Sequence, residues 1–530
     1  MNLLIVESPG KIKTISAILG SDWKVVACYG HIRDLPSKDI CISPPHFSLP
    51  YQISDFDRTK RTVSQLKSLV KNVDSVYLAT DPDREGEAIA WHLADELRIK
   101  KPIRVAFNEI SEKAVNAAIA VPRTIDMDLV HAQEARRALD RIVGYLVSPE
   151  LWRRLPHKGL SAGRVQSPAL RLIVDREREI GRFIPTTHFG VVLILDGENG
   201  EWRAEWDIRP LISKGQEYWT DEDFANSVAN IRHLKVVGAD DNQRTAAPPP
   251  PFITSTMQSA GSVRFRWPVK KVMDVAQKLY EDGFITYMRT DNPNLSDDAI
   301  AEVFAWGKAN GKAMSAKPRH WKAKESAQEG HEAIRPKHFE HLDAGADSDQ
   351  KALYQLIWMR AVASQMASAI FDVRTVLLES ADPFDQKAIR FVAKGEVIRV
   401  AGWKNLTAKD DTQEDSEEED PNNPVPNLRV GASLTAKKGT VQKKKTRPPQ
   451  RYTEGTLVAD LESRGIGRPA TYAATMDTLT KKSYEACRHF SRNLPGHPSL
   501  RQERKDWRQL CLRRPRPSPL DSKTALLARR

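Results

Sequence analysis

Between an apolar strand signal and a helical one, the chain places three carboxylates: Tyr77 to Leu93 reads YLATDPDREGEAIAWHL. Asp81, Asp83 and Glu85 fall within five residues of each other, and like charges so crowded repel unless something compensates them. The run VDSVYLAT from Val73 reads as a buried strand, and Glu85 to Leu97 has helical composition. A strand, an acidic turn and a helix point to an α/β domain, where parallel strands place chemistry just past their carboxyl ends. Asp-x-Asp-x-Glu in that setting is a ligand set for Mg2+, a hard cation that takes oxygen donors and retains waters. A helix N-terminus also collects acids, because they favour the positive end of its dipole, so the pattern alone admits a purely structural reading.

Other short apolar runs alternate with helical patterns: LLIV from Leu3 to Val6, KVVACYG from Lys24 and IRVAF from Ile103. They imply a mainly parallel sheet. Glu7 follows the first run in ESPGKIK, and if that strand neighbours the one ending at Ala79, a fourth carboxylate reaches the same edge. The Gly10-Lys11 pair is not a phosphate loop, since the earlier glycine is absent and Ile12 stands where serine or threonine would be. No nucleotide hydrolysis or nucleotide cofactor is indicated.

Lysine and arginine total 81 against 69 acids, a net charge of +12 over 530 residues. The excess favours a polyanionic partner, nucleic acid first and an anionic membrane surface second. Glu7 interrupts the opening apolar run too early for a signal peptide, and no later run is long enough to span a bilayer, so a cytoplasmic protein is expected. Cys28, Cys41, Cys487 and Cys511 form no CxxC pair, which excludes a zinc ribbon. Past Asp128 the pattern turns helical, with Ala135, Leu139, Ile142 and Val143 on one face. Residues 187 to 240 look strand-rich, Pro248 to Pro251 form a stiff break, and helices follow, including KKVMDVAQKLYEDG. A second strand-rich block runs from about Phe371 to Thr440 and contains an acidic run, Lys409 to Pro424, expected to be a solvated loop.

Eight blocks in order, IVESPGK, YGHIRDLP, ATDPDREGEAIAWH, ARRALDRIVGY, LSAGRVQSPAL, FITYMRTD, HEAIRP and RYTEGTLVADLESRGIGRPATYA, resemble a type IA DNA topoisomerase, closer to bacterial topoisomerase I than to topoisomerase III. The resemblance covers residues 1 to about 482. It implies a multidomain α/β and α+β chain in a ring-shaped fold. Its parts would be a toprim metal-binding domain at 1–122, a helical gate domain split between 123–186 and 441–482, a β-rich arch split between 187–246 and 367–440, and a helical lobe at 247–366 bearing the nucleophile. It further implies ATP-independent relaxation of negatively supercoiled DNA by a monomer near the nucleoid. One strand would be cut through a 5′-phosphotyrosine, passed and rejoined.

By the same resemblance Tyr287 in FITYMRT is the nucleophile. A free phenol titrates near pH 10 and is a poor nucleophile at neutral pH unless a cation favours its anion. Arg289, two residues on, is expected to do this and to match two phosphate oxygens. Glu7 would give the departing 3′-oxygen its proton, with a pKa raised by neighbouring acids, and Lys11 would aid the phosphate or tune that acid. Glu7, Asp81, Asp83 and Glu85 would hold Mg2+. Single-stranded DNA would meet His31, Arg136, Arg137, Arg164, Gln166, His331, Arg335 and Arg468, with Asp140 orienting an arginine or a base.

Small departures exist: Ala470 replaces the serine common in GRPST, and Asn292 and Pro293 follow RTD. The larger one is residues 483–530, an atypical basic tail rich in arginine and proline with no sustained period. It reads either as a natural DNA-gripping arm or, preferred, as the product of an altered frame on an incomplete domain, which would leave apolar surface exposed. Two rival functions use the same residues: a toprim nuclease or primase, and a catalytically impaired DNA-binding relative.

Overall fold

The computed structural model describes residues 1–42, 45–155, 160–323, 332–381, 388–407 and 423–481. His331, the basic tail with Cys487 and Cys511, and residues 409–422 of the acidic run lie outside the described residues.

The chain opens with a parallel sheet in the order Trp23–Ala27, Asn2–Val6, Val76–Ala79, Ile103–Arg104. Leu3 to Val6 are wholly buried, because the sheet is covered on both faces and neither face needs polar residues. Leu3 and Ile5 pack on the helices Asp57–Val70 and Arg84–Glu96, through Leu66, Ile89 and Leu93. Leu4 and Val6 point the other way, toward Ile15 and Val115 of the helices Gly10–Leu19 and Glu112–Ala120. Val6 pairs with Ala79, so the two strand ends that carry Glu7 and Asp81 are neighbours.

The second apolar layer does not stop at the first domain. The same cluster continues into Phe252, Leu279, Tyr280, Ile285 and Tyr287 of a helical lobe built from Thr254–Phe265, Val269–Glu281, Asp297–Ala309 and Ser348–Gln365. Helix Val269–Glu281 buries Val272, Ala276, Leu279 and Tyr280 at helical spacing and ends at Gly283, whose φ of 78° suits glycine. Gly10 is the close-approach point of the joint, since a Cβ there would collide with the Glu281 carboxylate.

Six antiparallel strands from two distant sections close a barrel in the order Ala369–Ser380, Arg390–Val400, Gly200–Trp206, Thr187–Gly197, Ser433–Lys445, His233–Ala246. Trp202, Ala204 and Trp206 face its core and Glu201, Arg203 and Glu205 face water, the period of two expected from EWRAEW. Helix Gln166–Arg182 shares a further cluster with Glu454–Ser463 and Tyr472–Lys481, so sections almost 300 residues apart pack together. Among the described residues no helix is long and apolar enough to cross a membrane.

In the helix Met127–Arg154 the apolar face of Ala135, Leu139, Ile142 and Val143 is open or half-open, with Leu139 47% exposed. Val130, Gln133, Ala138 and Ser148 are buried instead. The reason is what packs on the helix: its polar edge faces the first domain, and Leu146, Val147 and Trp152 remain exposed.

His92 ties helix Arg84–Glu96 to the first loops. Its buried ring accepts a hydrogen bond at Nδ1 from Arg33 Nε, 3.0 Å away. Burial, then the charge of Arg33, pushes His92 down to about 3. A histidine depressed in the fold stabilises above its unfolded value near 6.5 and loses that contribution as pH falls toward 3. Between pH 7 and pH 5 the chain is expected to lose about 2 kcal/mol through this group. Urea unfolding at the two pH values, compared with His92→Gln, checks this: the variant should shed most of the difference.

Candidate active site

The turn after strand Val76–Ala79 is held from below. Arg104, fully buried at the sheet edge, donates to the carbonyls of Leu78, Thr80 and Asp81 at 3.1, 2.9 and 2.8 Å. Its charge is balanced by Glu87 at 3.0 Å, which also takes Arg123 at 2.7 Å. Asp83 caps helix Arg84–Glu96 by accepting from the Gly86 amide at 2.8 Å. Gly86 has no room for a side chain against the Asp81 backbone. Arg104 lay in the run IRVAF, where only the apolar pattern was read; a charged residue breaking such a run was the available signal.

The compensation for the crowded acids comes from the protein. Asp81 makes a buried ion pair with Lys11. Asp83 accepts from the Tyr287 hydroxyl at 2.6 Å and lies 3.5 Å from the Arg289 guanidinium. Glu85 turns to the opposite side, to His31 at 3.0 Å, Gln133 at 3.2 Å and Arg136 at 3.7 Å. Despite partial burial, which alone would raise it, those partners draw Glu85 down to about 2. Glu85 thus faces away from Asp81 and Asp83, and among the described residues no group of three acids, histidines or cysteines is gathered around one point. Each carboxylate is already engaged elsewhere, Glu7 excepted.

Glu7 has a buried oxygen, Oε2, with no hydrogen-bond partner among the described residues. Burial, then Asp81 and Asp83, pushes its carboxyl up to about 7. A buried acid oxygen left unpaired beside two further carboxylates fits a hard divalent cation as well as it fits a proton.

Tyr287 is 3% exposed, with its backbone N–H on the Asn108 carbonyl at 2.7 Å. Burial foremost, then Asp83 and Asp81, holds its hydroxyl well above the ordinary tyrosine range, and Arg289 opposes this only in part. In this arrangement the phenol donates its proton to Asp83 in a hydrogen bond, with the Arg289 guanidinium beside the same carboxylate.

A chain of cavities leads away from this centre. The first, about 70 Å3, lies among Asp83, Glu85, Arg136, Arg289, Arg468 and Ala470. The next, about 280 Å3, shares Glu85 and Arg136 and adds His31, Gln133 and Arg137. The third, about 790 Å3, shares Arg137 and Asp140 and adds Arg141, Tyr145 and Trp152. Asp140 holds Arg164 at 2.8 Å and Arg136 at 3.8 Å. Arg137 pairs with Asp34, and Gln166 donates to Ser161 at 3.0 Å. Arg141 and Tyr145 went unread, although spacings of four and eight from Arg137 put them on one helix face.

Arg335 is the expected DNA contact that the structure places elsewhere. It is 5% exposed, and its donors go to Glu109 at 2.9 Å, Glu332 at 2.9 Å and two carbonyls. It clamps the lobe to the segment after strand Ile103–Arg104, because only acidic partners make so buried a guanidinium affordable.

A family model for DNA topoisomerase matches residues 124–493, beyond the 482 reached by the motif blocks, and one for the Toprim domain matches residues 2–110. A Toprim domain typically binds a divalent metal. The chain is 51% identical over 488 residues to "DNA topoisomerase I, plasmid" of Xylella fastidiosa strain 9a5c, covering 91% of this chain and 74% of that protein. DNA topoisomerase 1 of Zymomonas mobilis is 41% identical over 498 residues, and there the match spans 91% of this chain and 40% of the relative. Against DNA topoisomerase 1 of Haemophilus influenzae, 38% identical, the chain spans 59% of the relative's length. The solved structure of full-length topoisomerase I from Thermotoga maritima superposes with a TM-score of 0.78 at 36% identity, covering 91% of this chain and 78% of that one. The chain belongs to the type IA DNA topoisomerase family, with the ring-type fold and enzyme class of bacterial topoisomerase I.

Proposed function

We propose that this chain relaxes negatively supercoiled DNA by cutting one strand through Tyr287, letting the other strand pass and resealing the cut. The observation that carries the assignment is the 2.6 Å hydrogen bond from the Tyr287 hydroxyl to Asp83, 204 residues away in sequence. It joins the Tyr287 phenol to a carboxylate at the sheet edge whose charge also acts on Glu7, which supports Tyr287 as the nucleophile.

In the cleavage step the Tyr287 oxygen attacks phosphorus, and its proton passes to Asp83, the acceptor already in place. The bond from phosphorus to the 3′-oxygen breaks, leaving a 5′-phosphotyrosine. Glu7, held near neutrality in its pKa, protonates the 3′-oxygen. Arg289 and Lys11 face the charge that develops on the phosphate. One phosphodiester is exchanged for another, so the reverse attack by the 3′-hydroxyl reseals the strand without ATP.

A divalent cation, Mg2+ on the chemistry of the donors, would sit on oxygens of Glu7, Asp81 and Asp83 and neutralise their crowding while the cut ends are kept for rejoining. Single-stranded DNA would run along the cavities over Arg136, Arg137 and Arg141, with Arg468 at the scissile end. We place a monomer with cytoplasmic, nucleoid-associated DNA. Tyr287 is buried at the joint between first domain and lobe, so DNA enters only when these part.

Tyr287→Phe is expected to abolish the covalent adduct and to lower plasmid relaxation by roughly 10^4-fold or more. A nuclease or primase reading predicts that DNA cutting survives the same change. Glu7→Gln should slow cleavage of an ordinary oligonucleotide by about 10^2- to 10^4-fold. An oligonucleotide with sulfur in place of the bridging 3′-oxygen needs no proton on departure and should recover most of that loss; equal slowing on both substrates would remove Glu7 from the acid role.

Glu109→Gln leaves the Arg335 charge only partly balanced at the joint. It should cost about 2 kcal/mol in that contact and speed hydrogen exchange of the Tyr287 amide about 30-fold. Exchange mass spectrometry reads this directly, and unchanged protection would show that the pair does not hold the joint.

A further inference from the structure

We propose that Tyr280 is a positioning residue that holds the Lys11 ammonium at the reacting centre only while the lobe is closed. The inference rests on the reading of Tyr287 and Lys11 given above and adds a residue to it.

The Lys11 ammonium lies over the Tyr280 ring, 4.8 Å from its centre. The same ring stands edge-on to Tyr287, with centres 5.2 Å apart and planes at 65°. Tyr280 is fully buried, and its hydroxyl faces the Phe107 carbonyl at 3.4 Å. Lys11 and Phe107 belong to the first domain, whereas Tyr280 and Tyr287 belong to the lobe, seven residues apart across the turn at Gly283. The contact therefore exists only when the nucleophile has arrived.

Among the described residues the Lys11 ammonium makes its ion pair with the Asp81 carboxylate, with the Glu7 charge acting on it more weakly. That partner is unreliable during the reaction, because Asp81 is also an oxygen donor for a cation and is repelled by an incoming phosphate. A ring face has neither conflict. Its quadrupole attracts an ammonium strongly where water is excluded, and it neither binds Mg2+ as a carboxylate does nor repels phosphate as a full charge does. When Asp81 turns away, Tyr280 keeps Lys11 beside the scissile phosphate. When the lobe swings out, the ring leaves, and Lys11 keeps only its carboxylate neighbours until closure.

The test is single-turnover formation of the covalent adduct by the full chain on a labelled single-stranded oligonucleotide, at saturating DNA. Tyr280→Phe keeps the face and should stay within about twofold of the unaltered rate. Tyr280→Leu should slow adduct formation about 10- to 30-fold. In a Lys11→Gln background the same leucine should slow it by no more than about twofold, because its effect runs through Lys11. A ring that merely packs would slow both backgrounds alike, and that result overturns the proposal.

Phenylalanine carrying one, two and three fluorines at position 280 preserves shape while draining the ring face. The rate should fall stepwise with each fluorine in the Lys11 chain, and indifference to fluorination overturns the proposal even if the leucine variant misfolds. Absence of any adduct from the unaltered chain would instead strike the assignment of Tyr287, and this inference with it.

Discussion

A single hydrogen bond organises the proposed catalytic centre: the phenol of Tyr287 on the carboxylate of Asp83. Asp83 is held by the helix it caps, that helix by a turn with room only for glycine at position 86, and the turn by three carbonyl bonds to Arg104. Tyr287 comes from another lobe on a short segment fixed at both ends, by Gly283 and by its own backbone bond to Asn108. Neither half contains the site. The geometry is a property of their contact, so conditions that favour contact also assemble the chemistry.

The electrostatics follow the same logic. A cluster of acids in a dry pocket is tolerable only if each charge is matched, and here the matches come from Lys11, Arg289, His31 and Arg136. Glu7 is the one left over, and it responds by holding its proton more tightly. Two neighbouring strands thus give one carboxyl, Glu7, pushed up to about 7 beside others held by an ion pair and a hydrogen bond.

The acidic turn, its strand and the arrival of Glu7 at the same edge were legible in the sequence, because buried parallel strands and the residues just past them have a local signature. Tyr287 was legible only through its motif, since nothing local ties it to a partner 204 residues upstream. Matches that depend on tertiary contact were not readable: Lys11 on Asp81, separated by 70 residues, and Arg335 on Glu109, separated by 226. Arg335 illustrates the ambiguity, for an arginine in a DNA enzyme suggests phosphate, and only burial reveals that its partners are acids. In the long helix Met127–Arg154 the shared apolar face was legible but what packs on it was not, because periodicity locates a stripe and not the surface that covers it.

The apolar layer that runs without a break from the sheet into the lobe gives the joint an unusual temperament. Its cohesion is largely that of oil in water, which added salt does not weaken, whereas the grip on a phosphate backbone fades steeply as ions compete for it. Rising ionic strength would thus strip the enzyme of its substrate long before it loosened the clasp.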